Sequence, residues 1–382
     1  MKPDFDLTDD ELRAAGSVKW NLESRDVLPA WVAEMDVRPC PAVAEAVADA
    51  VRLGEFGYPA PDAHYRLPEA TAAFLTRRFG RPVDPALVLG CGDVMAGVRL
   101  ALETLCEDAP VVVPTPAYPP FLDIVRVTRR RLVTVPAVAG SGRLTLDVEG
   151  IGRALAGGAR TVLLAQPHNP IGRVYTAPEL TALRDVADRY GARVIADEIH
   201  APLLQPGVAH VPYAGLEGTA GHVTTVFAAS KAWNTPGLKC AQIIAGTPQD
   251  RAALEAVPHV ANHGISSLGP VATVAAYTEG EAWLDGVLDH LAAQRDLFGA
   301  LLAELLPQLS WEPMEGTYLA WVDARPTGLA DPALTALERG RVMVNRGATF
   351  GPGHEGFVRV NLATSAERLR RIVERLAEAW TA

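Results

Sequence analysis

The middle of the chain alternates short, continuous apolar runs with amphipathic stretches, and this alternation narrows the fold more than any other feature of the sequence. Pro110–Thr115 (PVVVPT), Arg160–Ala165 (RTVLLA), Ala192–Asp197 (ARVIAD) and Val223–Ala228 (VTTVFA) read as strands. Their apolar residues are consecutive rather than alternating, as expected of strands covered on both faces. Between the second and third runs, Ala177–Gly191 has helical spacing at Leu180, Leu183 and Ala187 and stops on a glycine. Strands separated by helices imply βαβ units and a mainly parallel sheet, hence an α/β fold.

The last third has a different pattern. Leu284–Leu306 reads as a long helix, with Leu288, Leu291, Leu301 and Leu305 among its apolar positions. Strand-like segments follow at Thr317–Val322 and Phe357–Leu362, and a final helix spans Ser365–Ala379 with Ser365 as its N-cap. A chain of 382 residues that is 49% hydrophobic can build more than one core. The expected organisation is a large domain over 50–283 with a mainly parallel central sheet, and a smaller α+β domain over 284–382. The N-terminal segment 1–49 is expected to join the smaller domain. There is no internal repeat or low-complexity stretch.

Composition removes several function classes. The net charge is −10 and the only basic cluster is Arg129–Arg131, which suits a strand edge or turn, so a nucleic-acid partner is disfavoured. The start, MKPDFDLTDDELRAAG, lacks the basic and apolar stretches of a signal peptide. No apolar run approaches the ~18 residues a membrane helix needs. The four cysteines, Cys40, Cys91, Cys106 and Cys240, show neither metal-type pairing nor a disulfide framework. The expectation is a soluble cytoplasmic protein with no metal and no membrane contact.

Five places carry chemistry. Lys231 follows the strand Val223–Ala228; desolvating an ammonium is costly, and a lysine kept neutral can form a Schiff base, although an isolated lysine more often snorkels to the surface. Asp197 ends a strand where open α/β sheets bind ligands. It can keep the pyridinium of pyridoxal 5'-phosphate (PLP) protonated, or simply cap a helix. Asn169, in QPHNPIGR, is either a turn residue or a donor to that ring's phenolic oxygen. Gly90-Cys91-Gly92-Asp93-Val94-Met95 opens a helix with apolar spacing at Val94, Val98, Leu102 and Leu105, and glycine there lets a phosphate approach backbone N–H groups. The third glycine of a dinucleotide fingerprint would fall at Met95, so a nicotinamide dehydrogenase fits poorly. Asp93 is awkward beside a phosphate, which favours backbone donors. Arg359, inside the apolar strand GFVRVNLATS, needs an anion: a substrate carboxylate or a structural partner.

Taken together and in this order, Asn169, Asp197, Lys231 and Arg359 resemble the fold-type I PLP enzymes of the class I/II aminotransferase family, over essentially the whole chain. LPAWVAEMDVRPCP, FGYP at Phe56–Pro59, TPAYPPF at Thr115–Phe121, DEIH at Asp197–His200, SKAWNTPGLK at Ser230–Lys239 and EGEAWLD at Glu279–Asp285 are similar to the cystathionine β-lyase/cysteine-S-conjugate β-lyase (MalY/PatB-type) branch. The resemblance implies that Lys231 holds PLP and moves the Cα proton. It implies that Asp197 meets the ring nitrogen, Asn169 and His200 the ring-hydroxyl side, and that Tyr118 stacks on the ring. Gly92, Asp93 and Val94 would offer N–H groups to the phosphate, with Ser230 or Lys239 assisting. Arg359 would bind the substrate carboxylate, with Trp31 and Met35 near where substrate enters. Tyr58 would reach the neighbouring subunit's cofactor, so a homodimer is expected. Without the resemblance, His200, Tyr118, Tyr58 and Trp31 read as core or interface residues, and Met35 as packing.

The activity implied is cleavage of cystathionine or a related S-conjugate to a thiol, pyruvate and ammonia. An aminotransferase uses the same residues. A specialised-pathway enzyme acting on an S-conjugate and a regulatory protein that keeps PLP without turnover are further alternatives. Ala201-Pro202-Leu203, Ile171 and Ala228 depart from the branch's usual residues, and bear on substrate choice rather than on the cofactor.

Overall fold

A computed structural model describes residues 2–140 and 143–381. Its centre is a sheet of seven strands: β1 (Val88–Cys91), β2 (Val111–Thr115), β3 (Leu132–Pro136), β4 (Thr161–Ala165), β5 (Arg193–Asp197), β6 (Val223–Phe227) and β7 (Ala241–Ala245). The spatial order is β1-β7-β6-β5-β4-β2-β3. β7 runs antiparallel to both neighbours, and every other pairing is parallel.

The consecutive apolar residues serve two faces by turns. Val111 and Val113 pack into one core with helix Val94–Leu105, while Val112 faces the opposite core with helix Ala177–Arg189. Leu163 and Ile195 follow the first pattern, Val162, Leu164, Val194 and Ala196 the second. A strand period of two applied to an unbroken apolar run produces this division. The parallel strands end at one edge of the sheet, and β1, antiparallel to β7, ends there too, with Cys91 opposite Ala241. Arg129 adopts φ 59 in the turn before β3, and Arg130 donates to the Leu102 carbonyl at 2.7 Å, so the basic cluster is a turn.

A second, antiparallel sheet follows: β8 (Ser310–Trp311), β9 (Leu319–Asp323), β10 (Asn345–Arg346) and β11 (Phe357–Asn361), in the order β8-β9-β11-β10. Helix Ala366–Thr381 and the end of helix Glu281–Leu305 cover it, through Phe298, Leu301, Ile372 and Leu376. The start of the Glu281–Leu305 helix instead enters the core below the large sheet, through Trp283, Leu284 and Val287. The N-terminal strand Leu28–Pro29 pairs with Val342–Met343 beside the small sheet. Ser365 caps the last helix through Arg368 N, at 3.2 Å. Among the described residues, no helix is long and apolar enough to cross a membrane.

Candidate active site

The shared edge of the large sheet forms one wall of a cavity of about 220 Å³, and the small sheet closes it. Gly92, Asp93, Val94, Tyr118, Asn169, Asp197, His200, Ser230, Lys231, Lys239 and Arg359 all line it. Chain topology explains the convergence. Asp197 is the last residue of β5, and Asn169 and Lys231 follow the ends of its neighbours β4 and β6. Lys239 precedes β7, and Gly92 follows β1. Arg359 comes from the middle of β11.

Burial dominates the electrostatics. Desolvation pushes the Asp197 carboxyl up to about 7, Glu198's charge adds to this, and its Oδ1 accepts from Ile199 N at 3.0 Å. Desolvation, then Arg359's charge, hold the Lys231 amine down to about 8, while its Nζ donates to the Ala33 carbonyl at 2.8 Å. Desolvation holds His200 down to about 3, so its imidazole is neutral, and the buried Nδ1 has no protein partner. Desolvation also raises the Tyr118 phenol.

Arg359 is 4% exposed, yet its partners are all neutral oxygens. Nη1 donates to Asn169 Oδ1 at 2.9 Å; Nη2 donates to the Trp31 carbonyl at 2.9 Å and to Asn345 Oδ1 at 2.6 Å. Its guanidinium lies 5.0 Å from the Phe350 ring centroid, and its Nε is buried without a partner. At the far end, Asp93 caps the helix Val94–Leu105 through Ala96 N at 2.8 Å and binds Lys239 Nζ at 2.8 Å. That pair cancels the lysine's charge, so an anion there relies on the helix N-terminus and Ser230.

This donor set fits PLP. A desolvated carboxylate suits the pyridine nitrogen, a depressed lysine suits the aldehyde, and a helix N-terminus suits the phosphate. The unpartnered His200 Nδ1 and Arg359 Nε are buried polar atoms awaiting a ligand.

Three expected site residues lie outside the lining. Trp31 contributes its carbonyl to Arg359, while its indole Nε1 donates to the Lys19 carbonyl at 3.4 Å. Met35 is buried in the core beneath the large sheet, because its neighbours Ala33 and Val37 turn inward with it. Tyr58 is 96% exposed and is not among the residues that line this chain's own cavity. Conversely, Asn345, Phe350 and the Ala33 carbonyl were not legible from the sequence. Asn345 lies in a two-residue strand with no periodic signal, and a backbone carbonyl has no residue type to read. Ile171, one of the departures, packs against Trp321 and Phe350, and so supports the ring beneath Arg359.

Comparison with known proteins agrees with this geometry. The family model for aminotransferase class I and II matches residues 32–376. The cystathionine β-lyase of Corynebacterium glutamicum is 40% identical over 96% of this chain and 98% of its own length. Cystathionine β-lyase PatB of Bacillus subtilis is 32% identical over 96% of this chain and 98% of its own. The crystal structure of a candidate PLP-dependent β-cystathionase from Corynebacterium diphtheriae superposes with a TM-score of 0.94 at 37% identity, covering 98% of both chains. The chain belongs to the class I and II aminotransferase family, in its cystathionine β-lyase branch of the MalY/PatB type.

Proposed function

We propose that the chain is a PLP-dependent carbon–sulfur β-lyase that cleaves cystathionine or a related cysteine S-conjugate to a thiol, pyruvate and ammonia. One observation carries the reading. One cavity brings together Lys231, Asp197 and Arg359, and among the described residues no carboxylate is hydrogen-bonded to Lys231 or Arg359, in a chain 40% identical to a cystathionine β-lyase.

Bound PLP supplies the electron sink that acidifies the substrate Cα–H and lets a β-substituent depart. Asp197 would hold the ring nitrogen, whose positive charge would draw the carboxyl back to its ionised form. Asn169 and neutral His200 would hold the ring-hydroxyl side, and Tyr118 would pack against the ring. Arg359 takes the substrate carboxylate in a two-point fork, whose plane Asn169, Asn345 and the Trp31 carbonyl fix. With the carboxylate anchored, Lys231 removes the Cα proton, and burial favours the neutral amine that this requires. The Cβ–S bond then breaks, the thiolate takes its electron pair, and the Cα=Cβ enamine left behind is hydrolysed by water to pyruvate and ammonia.

The test is release of thiol and pyruvate from L-cystathionine by the purified, PLP-loaded protein, with Lys231→Ala as control. Equal, Lys231-dependent amounts support the reading. Neither product, with the cofactor's visible absorbance intact, rejects cystathionine. Keto-acid-dependent amino transfer in its place points to an aminotransferase.

A homodimer in the cytoplasm belongs to the same reading. Leu53, Phe56, Tyr58 and Val260 are 79%, 70%, 96% and 76% exposed, large apolar side chains available to a second copy of the chain. Ser267 Oγ donates to the Glu55 carbonyl at 2.9 Å, tying the Tyr58 loop to the segment before helix Leu268–Glu279. Tyr58 would then reach the neighbouring cofactor. Sedimentation of the holoenzyme checks this; a monomer that retains PLP and activity would refute it.

A further inference from the structure

The segment Trp31–Met35 forms part of the cavity wall through Val32 and Ala33, and its main chain meets both catalytic-site cations. Trp31 O accepts from Arg359 Nη2 at 2.9 Å, and Ala33 O accepts from Lys231 Nζ at 2.8 Å. Two residues apart, these carbonyls set the positions of two side chains that come from different sheets.

The segment is itself held by two asparagines. Asn361, two positions after Arg359 on β11, donates from Nδ2 to Val32 O and Glu34 O, each at 2.7 Å. Its backbone N donates to Ala30 O at 2.8 Å, and its Oδ1 is fixed by Ala363 N at 2.8 Å. From the other side, Asn234 accepts from Met35 N at 2.9 Å and donates to Met35 O at 2.8 Å. Asn234 lies three residues after Lys231 and takes φ 55, a left-handed conformation asparagine tolerates better than most residues. A side-chain amide bonded to main chain on both its atoms fixes register as a backbone pair does. It adds no charge to compete with Lys231 or Arg359.

We propose that Asn361 and Asn234 are positioning residues. They clamp the 31–35 strap between the small sheet and the Lys231 loop, so that its Trp31 and Ala33 carbonyls aim Arg359 and Lys231 at the substrate. Asn361 governs both carbonyls, because it holds Val32 and Glu34 on either side of Ala33. Asn234 governs the fit of the Lys231 loop against the strap and leaves Trp31 to Asn361. The inference rests on the PLP reading but not on elimination.

Asn361→Ala and Asn234→Ala, loaded with PLP, are titrated with L-alanine and with ethylamine, following the cofactor's visible absorbance. L-alanine carries the α-carboxylate without a leaving group, and ethylamine lacks the carboxylate, so the ratio of their affinities reports Arg359. In Asn361→Ala the ratio is expected to fall on the order of tenfold, the scale of loss for a catalytic group misplaced by a fraction of an ångström. In Asn234→Ala both affinities fall on the order of tenfold and the ratio stays within about twofold. An unchanged ratio in Asn361→Ala, or unchanged affinities in Asn234→Ala with only a lowered melting temperature, overturns the proposal. Asn361→Ser and Asn234→Ser, which keep a hydroxyl donor, take the same measurements if the alanine variants do not fold. Neither probe carries a β-leaving group, so its binding does not depend on elimination, and a wild type that releases no thiol from cystathionine counts against the lyase reading alone.

Discussion

Asp197 makes the PLP-free protein less stable as pH rises, and replacing it stabilises that form while abolishing activity. The residue is 7% exposed, and its carboxyl accepts one backbone hydrogen bond, from Ile199 N at 3.0 Å. Desolvation, reinforced by Glu198, pushes it up to about 7, and Lys231's charge offsets only part of this. In the unfolded chain an aspartate titrates near 3.9, so the folded state keeps a proton that the unfolded chain has already lost. Stability therefore falls between about pH 4 and about pH 7 and levels off above. At 1.4 kcal/mol per pH unit the whole effect reaches roughly 4 kcal/mol, a large share of a protein's net stability. Asp197→Asn removes the titration with little change of shape. In urea unfolding of the PLP-free proteins, the variant should exceed wild type by up to about 4 kcal/mol at pH 8 and converge with it near pH 4. With PLP bound the order should reverse, because the pyridinium then compensates the wild-type carboxylate. A PLP-free Asp197→Asn protein no more stable than wild type at pH 8, or with the same pH slope, would refute the argument.

Arg359→Lys replaces a three-partner fork by a single point charge and should lower kcat/KM for L-cystathionine roughly 100-fold, from about 3 kcal/mol of lost charge-assisted hydrogen bonding. Steady-state kinetics check this, and a loss under threefold would contradict the carboxylate assignment. Proton removal by Lys231 needs the neutral amine, which burial favours from about pH 8 upward, so kcat should climb with pH and flatten above about 8. A kcat profile flat from pH 6 to 9 would remove Lys231 as the base. Arg173 joins the Asn169 loop to Glu179 at 2.7 Å and to Glu315, next to the small sheet, at 2.9 Å. Arg173→Ala should cost about 2 kcal/mol in denaturant unfolding of the holoenzyme, since Arg143 still pairs with Glu315.

What the sequence made legible follows from where physical chemistry is local. The parallel strands Val111–Thr115, Thr161–Ala165, Arg193–Asp197 and Val223–Phe227 are unbroken apolar runs, and their ends place Asn169, Asp197 and Lys231 without any tertiary information. The direction of Ala241–Ala245 was not legible, because AQIIA reads the same as a parallel or an antiparallel strand. Only the absence of a crossover helix between Phe227 and Ala241 hints at it. The resemblance puts Trp31 and Met35 near the substrate entry, and in the structure it is their main chain that meets the site's residues: Trp31 O on Arg359, and Met35 N and O on Asn234. A backbone group that serves a residue some two or three hundred positions away leaves no trace in residue type. The sequence can therefore mark such a segment as belonging to the site without saying how.

The charges of this protein divide by the kind of partner they have. Away from the three reacting groups, ions meet opposite ions: Lys19 with Asp36 at 2.9 Å, Arg193 with Asp250 at 2.8 Å, Arg368 with Asp9 at 2.8 Å and, at the far end of the cavity, Lys239 with Asp93 at 2.8 Å. At the reacting groups, Lys231 and Arg359 hydrogen-bond to carbonyl and amide oxygens, and Asp197 to a backbone N–H. Dipoles orient these three groups without cancelling them, so each is strained by desolvation until an opposite charge arrives. The set is one carboxyl, one guanidinium and one amine that burial pushes toward its neutral form, which matches a pyridinium, a substrate carboxylate and an electrophilic carbon. A carboxylate within reach of Arg359 would stabilise the fold and compete with the substrate for the fork. The choice of Asn169 and Asn345 as its side-chain partners, rather than aspartates, is the feature that keeps the site both unsatisfied and specific.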